Sequence, residues 1–301
     1  MMKKKITRYL KGYPKFTYFM SNESVCFMIH LQDIEFLRKG GYNTTWPVEQ
    51  YIARTGLSQS DFYRCTWELT RLGLLVTERS ECKKFVSYAL NQKGYNRLLE
   101  VCGATYDCDR TKSLLKEVKA KGRFAENITD NEITSLKGFS RESTREASYV
   151  RVYPGFSYFL TANEICLLMH IADIEFLMRF KTYSFWTKKE WLDKTNMEEA
   201  VFDKAVRNLK YWRIINEPDK TDDRVVYKIN YRVFDKLVDI CGATCNYNAL
   251  KEFFTWLTIK EKRAILSVRE KELEALAHYG NHYGGMQFPF PVLPKYEFIR
   301  P

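Results

Sequence analysis

Two groups of side chains in the first third of the sequence have the chemistry to contact a nucleic acid. A helix is predicted to begin at Ser58, because Ser58-Gln-Ser-Asp61 is a capping pattern. The spacing of its apolar residues predicts an inward face of Phe62, Cys65, Leu69 and Leu72. Four side chains then project outward near the start of the helix: Gln59, Ser60, Tyr63 and Arg64. Gln and Arg suit the edges of adenine and guanine, while Ser and Tyr suit phosphate or a base edge. The polar loop that follows adds three basic residues: Arg79, Lys83 and Lys84.

The distribution of charge favours a nucleic acid over the alternative, in which these residues form an ordinary solvated face. The chain has 48 basic and 37 acidic residues, a net charge of +11. Residues 1–105 contain 16 basic and 9 acidic residues, so +7 of that excess lies in the first third. A local positive excess is typical of a surface that contacts a polyanion, and nucleic acid is the commonest one.

No pattern in the sequence predicts catalysis or metal binding. His30-x-x-Asp33-x-Glu35 and His170-x-x-Asp173-x-Glu175 place each His and Asp on one helix face, where they can hydrogen-bond. Each His also falls on an apolar stripe, which favours a structural histidine in the core. Cys241-x3-Cys245 and His278-x3-His282 have zinc-finger-like ends, but 32 residues separate the pairs, more than usual. The chain lacks a Walker loop, G-x-G-x-x-G and G-x-S-x-G, so we predict no enzyme, cofactor, metal or small-molecule substrate.

Composition predicts a soluble, two-domain, cytoplasmic protein. Of the 301 residues, 45% are hydrophobic and 28% are charged, which excludes a mainly disordered or collagen-like chain. The longest apolar runs are far shorter than the ~20 residues that span a bilayer, so no membrane association is predicted. The N-terminal lysines are not followed by the apolar segment of a signal peptide. Eight cysteines without a C-x-x-C pattern fit reduced thiols in the cytosol.

The sequence contains an internal duplication with an offset of 140 residues. Between residues 13 and 46, 13 of 34 positions are identical to residues 153–186, including the segment Asp-Ile-Glu-Phe-Leu at 33–37 and 173–177. The offset becomes 139 later, where Cys-Gly-Ala-Thr occurs at 102–105 and again at 241–244. A period this long exceeds that of solenoid repeats. It indicates one domain copied in tandem.

Each copy has the same predicted order of elements. In the first, a helix capped by Ser21 runs to about Lys39, and a short helix opened by Pro47 ends at Gly56. The helix that begins at Ser58 comes next, then two strands around the loop 78–84, then a helix over 93–102. The predicted domains are repeat 1 (1–105), a linker with a short helix (106–148), repeat 2 (149–244) and a C-terminal region (245–301).

This order resembles winged-helix DNA-binding domains, and most of all the modules of plasmid and phage replication-initiation proteins. The residues that carry the resemblance are the Trp46 strand, the helix-turn-helix Val48–Leu72, Gly73-Leu74-Leu75 and the strand Tyr88-Ala-Leu-Asn91. The resemblance implies an α+β, mostly α fold of two tandem winged helices, with the second helix of the helix-turn-helix in the major groove. It implies that the chain binds double-stranded DNA, mainly through repeat 1, as a replication initiator or transcriptional regulator of a bacterium or mobile element. The alternative is a protein-interaction scaffold whose winged helices bind partner proteins.

Repeat 2 departs from this pattern at the positions that would touch DNA. Its third helix opens with Glu198-Glu199 and continues through Asp203, and these carboxylates would repel phosphate. Its predicted wing contains three acids beside Lys220 and Arg224: Asp219, Asp222 and Asp223. Three basic residues of the helix could still reach a DNA backbone: Lys204, Arg207 and Lys210. Repeat 2 also has Asn196 and Arg213 where repeat 1 has glycine. We therefore expect it to serve assembly or secondary DNA contacts.

The C-terminal region is predicted to contain helices and an extended tail. The pattern Thr258-Ile-Lys-Glu261 predicts the start of one long amphipathic helix that ends near Tyr279. Its apolar residues need a covering surface: Ile265, Leu266, Leu273 and Leu276. We favour a homodimer through this segment over docking on the same chain. The tail from Asn281 is rich in proline and aromatic residues, with Phe288-Pro-Phe-Pro-Val-Leu-Pro294 at its centre.

Overall fold

The fold is a mostly helical α+β structure in which, over the residues that the structure describes, short antiparallel strands accompany twelve helices. The computed structural model describes residues 9–82, 84–105, 107–137, 149–178, 186–216, 219–221, 223–244 and 246–283. Within this part of the chain, no helix has the length and apolar character needed to cross a bilayer. Residues 9–137 are called the first half below, and residues 149–283 the second half.

The first half contains six helices and three strands. In chain order its elements are β1 (Leu10–Gly12), a 3₁₀ turn (Pro14–Tyr18), α1 (Asn22–Lys39), α2 (Val48–Thr55), α3 (Gln59–Arg71), β2 (Leu75–Arg79), β3 (Val86–Leu90), α4 (Gln92–Ala104), α5 (Cys108–Ala120), a 3₁₀ turn (Ala125–Asn127) and α6 (Asp130–Lys137). The predicted helices and strands up to residue 104 are confirmed to within a few residues. The Ser21 side chain accepts a hydrogen bond from the Ser24 backbone N–H at 3.3 Å, which caps α1 as its sequence predicts.

The second half presents its elements in nearly the same order. These are β4 (Val150–Val152), a 3₁₀ turn (Pro154–Tyr158), α7 (Ala162–Met178), β5 (Trp186–Thr187), α8 (Lys188–Thr195), α9 (Glu199–Tyr211), β6 (Asp219–Thr221), β7 (Arg224–Val226), α10 (Tyr231–Ala243), α11 (Tyr247–Thr255), a π turn (Trp256–Lys260), a 3₁₀ turn (Ile265–Ser267) and α12 (Glu270–Tyr283).

Small sheets place a strand beside the helix pairs α2–α3 and α8–α9. In the second half the strand order is β5-β7-β6, all antiparallel. In the first half β2 pairs with β3 over five residues, and Trp46 forms a single bridge to Val86 at the position equivalent to β5. In both halves, therefore, the segment before the short helix is hydrogen-bonded to the second strand of the hairpin.

The segment predicted as a linker is part of the folded core over residues 107–137. Its helices α5 and α6 bury Leu115, Val118, Ile133 and Leu136. The pairing of Arg123 with Glu132, 2.7 Å apart, recurs as Arg263 with Glu272 at 2.6 Å, again 140 residues later. The short helix predicted in this segment is present as α5, and the domain boundaries stay a prediction. Residues 138–148 lie outside the described part of the chain.

The single long helix predicted from Thr258 is wrong. The chain forms a π turn at Trp256–Lys260, leaves the helix, and starts α12 only at Glu270. Three of the apolar residues predicted to need a partner are buried in the same chain: Ile265, Leu273 and Leu276. They lie where α12 and the preceding 3₁₀ turn pack on α10 and α11. The predicted homodimer has lost the observation on which it rested and stays an untested prediction.

Three residues of the second half adopt left-handed backbone conformations at positions where the first half has glycine. Asn196, Arg213 and Lys262 have φ of 54°, 56° and 50°. The glycines at the equivalent positions have φ of 70°, 68° and 62°. The second half thus keeps the turn geometry although it lacks the glycines, and it bears the conformational strain of a Cβ at each site.

The two halves meet through contacts that occur twice with exchanged partners. The His170 ring Nε2 lies 2.9 Å from Thr17 Oγ1, and the His30 ring Nε2 lies 2.9 Å from Ser157 Oγ. Thr17 and Ser157 are equivalent positions, and so are the two histidines. The equivalent helices α1 and α7 pack against each other, and the equivalent strands β1 and β4 pair in antiparallel fashion. Such reciprocity is the pattern of an approximate two-fold axis.

The histidines are core residues, but their partners are not the predicted ones. His30 and His170 are both buried, in agreement with a structural role. Each hydrogen-bonds a hydroxyl of the other half rather than the Asp three residues later. Asp33 instead pairs with Arg54 at the end of α2. Burial is the main reason why the pKa of His30 falls to about 4 and that of His170 to about 3.

Candidate nucleic-acid interface

Helix α3 is amphipathic, and its apolar face fixes which side chains point outward. Ser58 caps the helix, because its hydroxyl accepts a hydrogen bond from the Asp61 backbone N–H at 3.1 Å. Phe62, Cys65 and Leu69 are completely buried against the core of the first half. The opposite face is left to solvent along the whole length of the helix.

The exposed face of α3 contains every residue predicted there. Its seven exposed residues are Gln59, Ser60, Tyr63, Arg64, Trp67, Thr70 and Arg71. Two of these are basic and none is acidic, since Asp61 is partly buried in the cap and Glu68 accepts hydrogen bonds from Ser21 and Ser24. The face therefore offers hydrogen-bond donors and positive charge, and the Asp61 carboxylate at its edge, 35% exposed, is paired with Arg64.

Arg64 is exposed but already has two acidic partners. Its guanidinium lies 2.8 Å from Asp61 and 3.3 Å from Glu23, and its side chain is 56% exposed. Exposed ion pairs of this kind contribute little free energy in water. They orient the Arg64 side chain but leave it able to contact a ligand. To make a bidentate contact with guanine, Arg64 must leave at least one of these carboxylates. Sequence reasoning missed Glu23, which is distant in the chain.

The hairpin β2–β3 lies beside this helix and carries the predicted wing residues. Arg79 and Lys84 are both exposed, and Lys83 lies outside the described residues. Burial raises the pKa of the Tyr88 hydroxyl, and the nearby charge of Arg79 opposes that shift while Tyr63 adds to it. Arg79 on the hairpin and Tyr63 on α3 are therefore both close to Tyr88. This brings the wing and the outward face of α3 together into one surface.

Two residues of this surface were not among those predicted. Trp67 is 60% exposed, and the Arg71 guanidinium lies over its ring at 4.8 Å from the centroid. Trp67 follows Tyr63 by four residues, so both belong to the same face of α3. That spacing is visible in the sequence, but the prediction considered only the first turns of the helix.

The corresponding helix of the second half has a different surface. On α9 the exposed residues are Glu199, Ala200, Lys204, Arg207 and Tyr211. Lys188 lies 2.6 Å from Glu199 and 3.0 Å from Asp203, and these hydrogen bonds raise the pKa of its ammonium. The acids at the start of α9 are thus partly neutralised by their own chain. Lys204 and Arg207 are exposed as predicted, whereas Lys210 is half-buried.

The described residues of the other candidate sites do not come together in an arrangement that would bind a metal ion or catalyse a reaction. Among the described residues, no three His, Cys, Asp or Glu side chains come together in a way that could hold a metal ion. Cys241 is buried where it faces Gly155, and Cys245 lies outside the described part of the chain. Asp222 of the second hairpin also lies outside it.

Comparison with models of known protein families, with curated protein sequences and with solved structures finds no match to this chain. The surface built by α3 and the β2–β3 hairpin must therefore be interpreted from its own geometry.

Proposed function

We propose that the protein binds double-stranded DNA through two winged helices that arose by internal duplication. The order of a long helix, a strand, a short helix, α3 or α9, and a hairpin supports this, because it is the order of a winged helix-turn-helix. The recurrence of ion pairs and left-handed residues at a 140-residue offset supports the duplication. The biological role that fits best is replication initiation or transcriptional regulation.

The observation that carries the proposal is the exposed face of α3. One side of this helix is buried, and the other presents polar and basic side chains beside a hairpin on which Arg79 and Lys84 are exposed together with Glu78 and Glu81. In helix-turn-helix proteins the second helix enters the major groove with such a face. Arg79 and Lys84 of the hairpin then lie where they can meet the phosphate backbone.

The approximate two-fold axis predicts how the DNA site is arranged. In dimeric helix-turn-helix proteins the symmetry of the operator mirrors the symmetry of the protein. If α3 and α9 both face one duplex, the two half-sites run in opposite directions. They differ in content, because α9 offers Lys204 and Arg207 for the backbone, while α3 offers side chains for base edges.

The test is selection of bound sequences from random duplex DNA, followed by affinity measurements at several salt concentrations. A protein that neutralises about five phosphates gives a slope of about −4.5 in a plot of log K against log salt. We expect enrichment of inverted half-sites and a steep slope of this order. Failure to enrich any duplex, or an affinity that does not respond to salt, would overturn the proposal.

A protein-interaction scaffold is the second candidate, and one observation favours it. Tyr63, Trp67 and Arg71 are exposed next to one another, and Trp, Tyr and Arg are the residues that dominate protein interfaces. A scaffold would hold its partner through apolar contacts, so its affinity would change little with salt. The same salt titration therefore separates the two functions.

A further inference from the structure

The rings of Tyr63 and Trp67 lie on the exposed face of α3. Hydrogen bonds to bases or phosphates would leave the apolar surfaces of these rings without a contact. Tyr63 is 50% exposed and Trp67 is 60% exposed. They are four residues apart, so both side chains lie on one face of the helix. Arg71 covers part of the Trp67 ring, and the rest of the indole is open to solvent.

These rings are specific to the first half. The equivalent positions of α9 are Asp203 and Arg207, which are charged. The inward face of α3 is filled by Phe62, Cys65 and Leu69, whereas the rings of Tyr63 and Trp67 are at least half exposed. The difference between α3 and α9 therefore concerns what each helix contacts outside the protein.

The major groove of DNA offers one apolar group to such rings. It is the C5-methyl group of thymine, since the other base edges present hydrogen-bond donors and acceptors. The basic side chains Arg71 and Arg79 would hold the flanking backbone while the rings meet the base edges.

We propose that Tyr63 and Trp67 contact thymine methyl groups in the half-site that the first half binds. The proposal rests on the proposed function and goes beyond it, because it names the bases that α3 prefers. It assigns recognition to apolar contacts at the centre of α3, in addition to the hydrogen bonds predicted for Gln59 and Arg64.

The test compares a selected duplex with the same duplex in which deoxyuridine replaces thymidine in one half-site. This change removes only the methyl groups and leaves base pairing intact. For the intact protein we expect affinity to fall about three- to fivefold for each contacted methyl group. Replacement in the other half-site serves as the matched DNA control and should leave affinity nearly unchanged.

The protein variants decide whether Trp67 is responsible. Trp67→Ala should bind the thymine duplex more weakly and should lose the part of the deoxyuridine effect that comes from its own methyl contact, so the two changes are not additive. Tyr211→Ala, which removes an exposed aromatic ring from α9, is the matched control and should keep that sensitivity. Equal binding of both duplexes by the intact protein would overturn the proposal, as would a Trp67→Ala variant that remains fully sensitive. DNA binding without a methyl effect leaves the proposed function standing, whereas no duplex binding at all refutes both.

Discussion

The Tyr158 hydroxyl donates a hydrogen bond to the Arg54 backbone carbonyl at 2.8 Å, and so ties the end of α2 to the other half of the molecule. Arg54 also pairs with Asp33 of α1 and lies 5.8 Å from the Tyr247 ring. The turn that leads from α2 into α3 is therefore held by residues of both halves. The position of α3 thus depends on the contacts between the end of α2 and the second half.

Tyr158→Phe should weaken this link while keeping the aromatic packing. We expect the free energy of unfolding to fall by about 1 kcal/mol or somewhat more, because the Arg54 carbonyl loses its donor in a buried site. Urea denaturation measures the change. Tyr63→Phe on the exposed face is the control and should leave stability unaltered. Equal stability of Tyr158→Phe and the unmodified protein would mean that the hydrogen bond is not needed.

The basic residues of the two halves should contribute unequally to DNA binding. The Arg79→Ala/Lys84→Ala variant should lower affinity and reduce the salt slope by about 1 to 2, since each lost phosphate contact contributes about 0.9. The matched variant Lys204→Ala/Arg207→Ala should have a smaller effect. Fluorescence anisotropy with a selected duplex measures both. A larger loss for the second pair would place the principal contact in the second half.

Stability should depend on pH through the two buried histidines. In the folded protein their pKa values are about 4 for His30 and about 3 for His170, below the ordinary value of 6.5. As pH falls below 6.5, the unfolded chain binds protons that the folded chain does not, so stability decreases toward pH 4. Each histidine contributes up to about 1.4 kcal/mol per pH unit in this range. Urea unfolding at pH 7.5, 6 and 5 checks this, and His30→Gln should flatten the dependence. A stability that is constant from pH 7.5 to 5 would contradict it.

Two glycines of the first half form a matched pair for testing backbone strain. Gly73 and Gly122 have φ of +68° and +62°, so alanine is strained at both. A Cβ on Gly73 would lie 2.6 Å from the Phe124 Cβ, whereas nothing lies within 4 Å of one on Gly122. We expect Gly122→Ala to cost about 1 kcal/mol and Gly73→Ala about 1–3 kcal/mol more. Similar losses in thermal denaturation would show that Phe124 moves aside easily.

The C-terminal helix should stabilise the second half. A chain that ends after Arg269 lacks Leu273 and Leu276, whose burial is worth about 2–5 kcal/mol each by comparison with Leu→Ala changes in other cores. We expect loss of cooperative unfolding of the second half in this variant. A chain that ends after Tyr283 should keep its stability, and its sedimentation tests the predicted homodimer. Equal stability of both truncated chains would contradict the packing of α12.

Much of the fold could be predicted because its signals are local. Ser21, Ser58 and Gly56 mark helix ends within a few residues of where they occur, and these predictions are confirmed. The break before α12 was missed because it depends on Arg263 reaching Glu272 and on Ile265 entering the core. In the candidate site, helical spacing correctly predicted which side chains near the start of α3 are exposed. The pairing of Arg64 with Glu23 did not, because those residues are distant in sequence.

The contacts between the two halves, which occur twice with exchanged partners, have a consequence for synthesis on the ribosome. Thr17 is made 153 residues before His170, and β1 about 140 residues before β4. At about 5–20 residues per second, the first half waits roughly 7–30 seconds for the surface that completes it. During that time α1 exposes the apolar face that α7 later covers. The contacts between the halves join residues that are far apart in the sequence, which slows folding. The nascent chain is therefore most vulnerable to aggregation before the second half has been made and holds the turn that leads into α3.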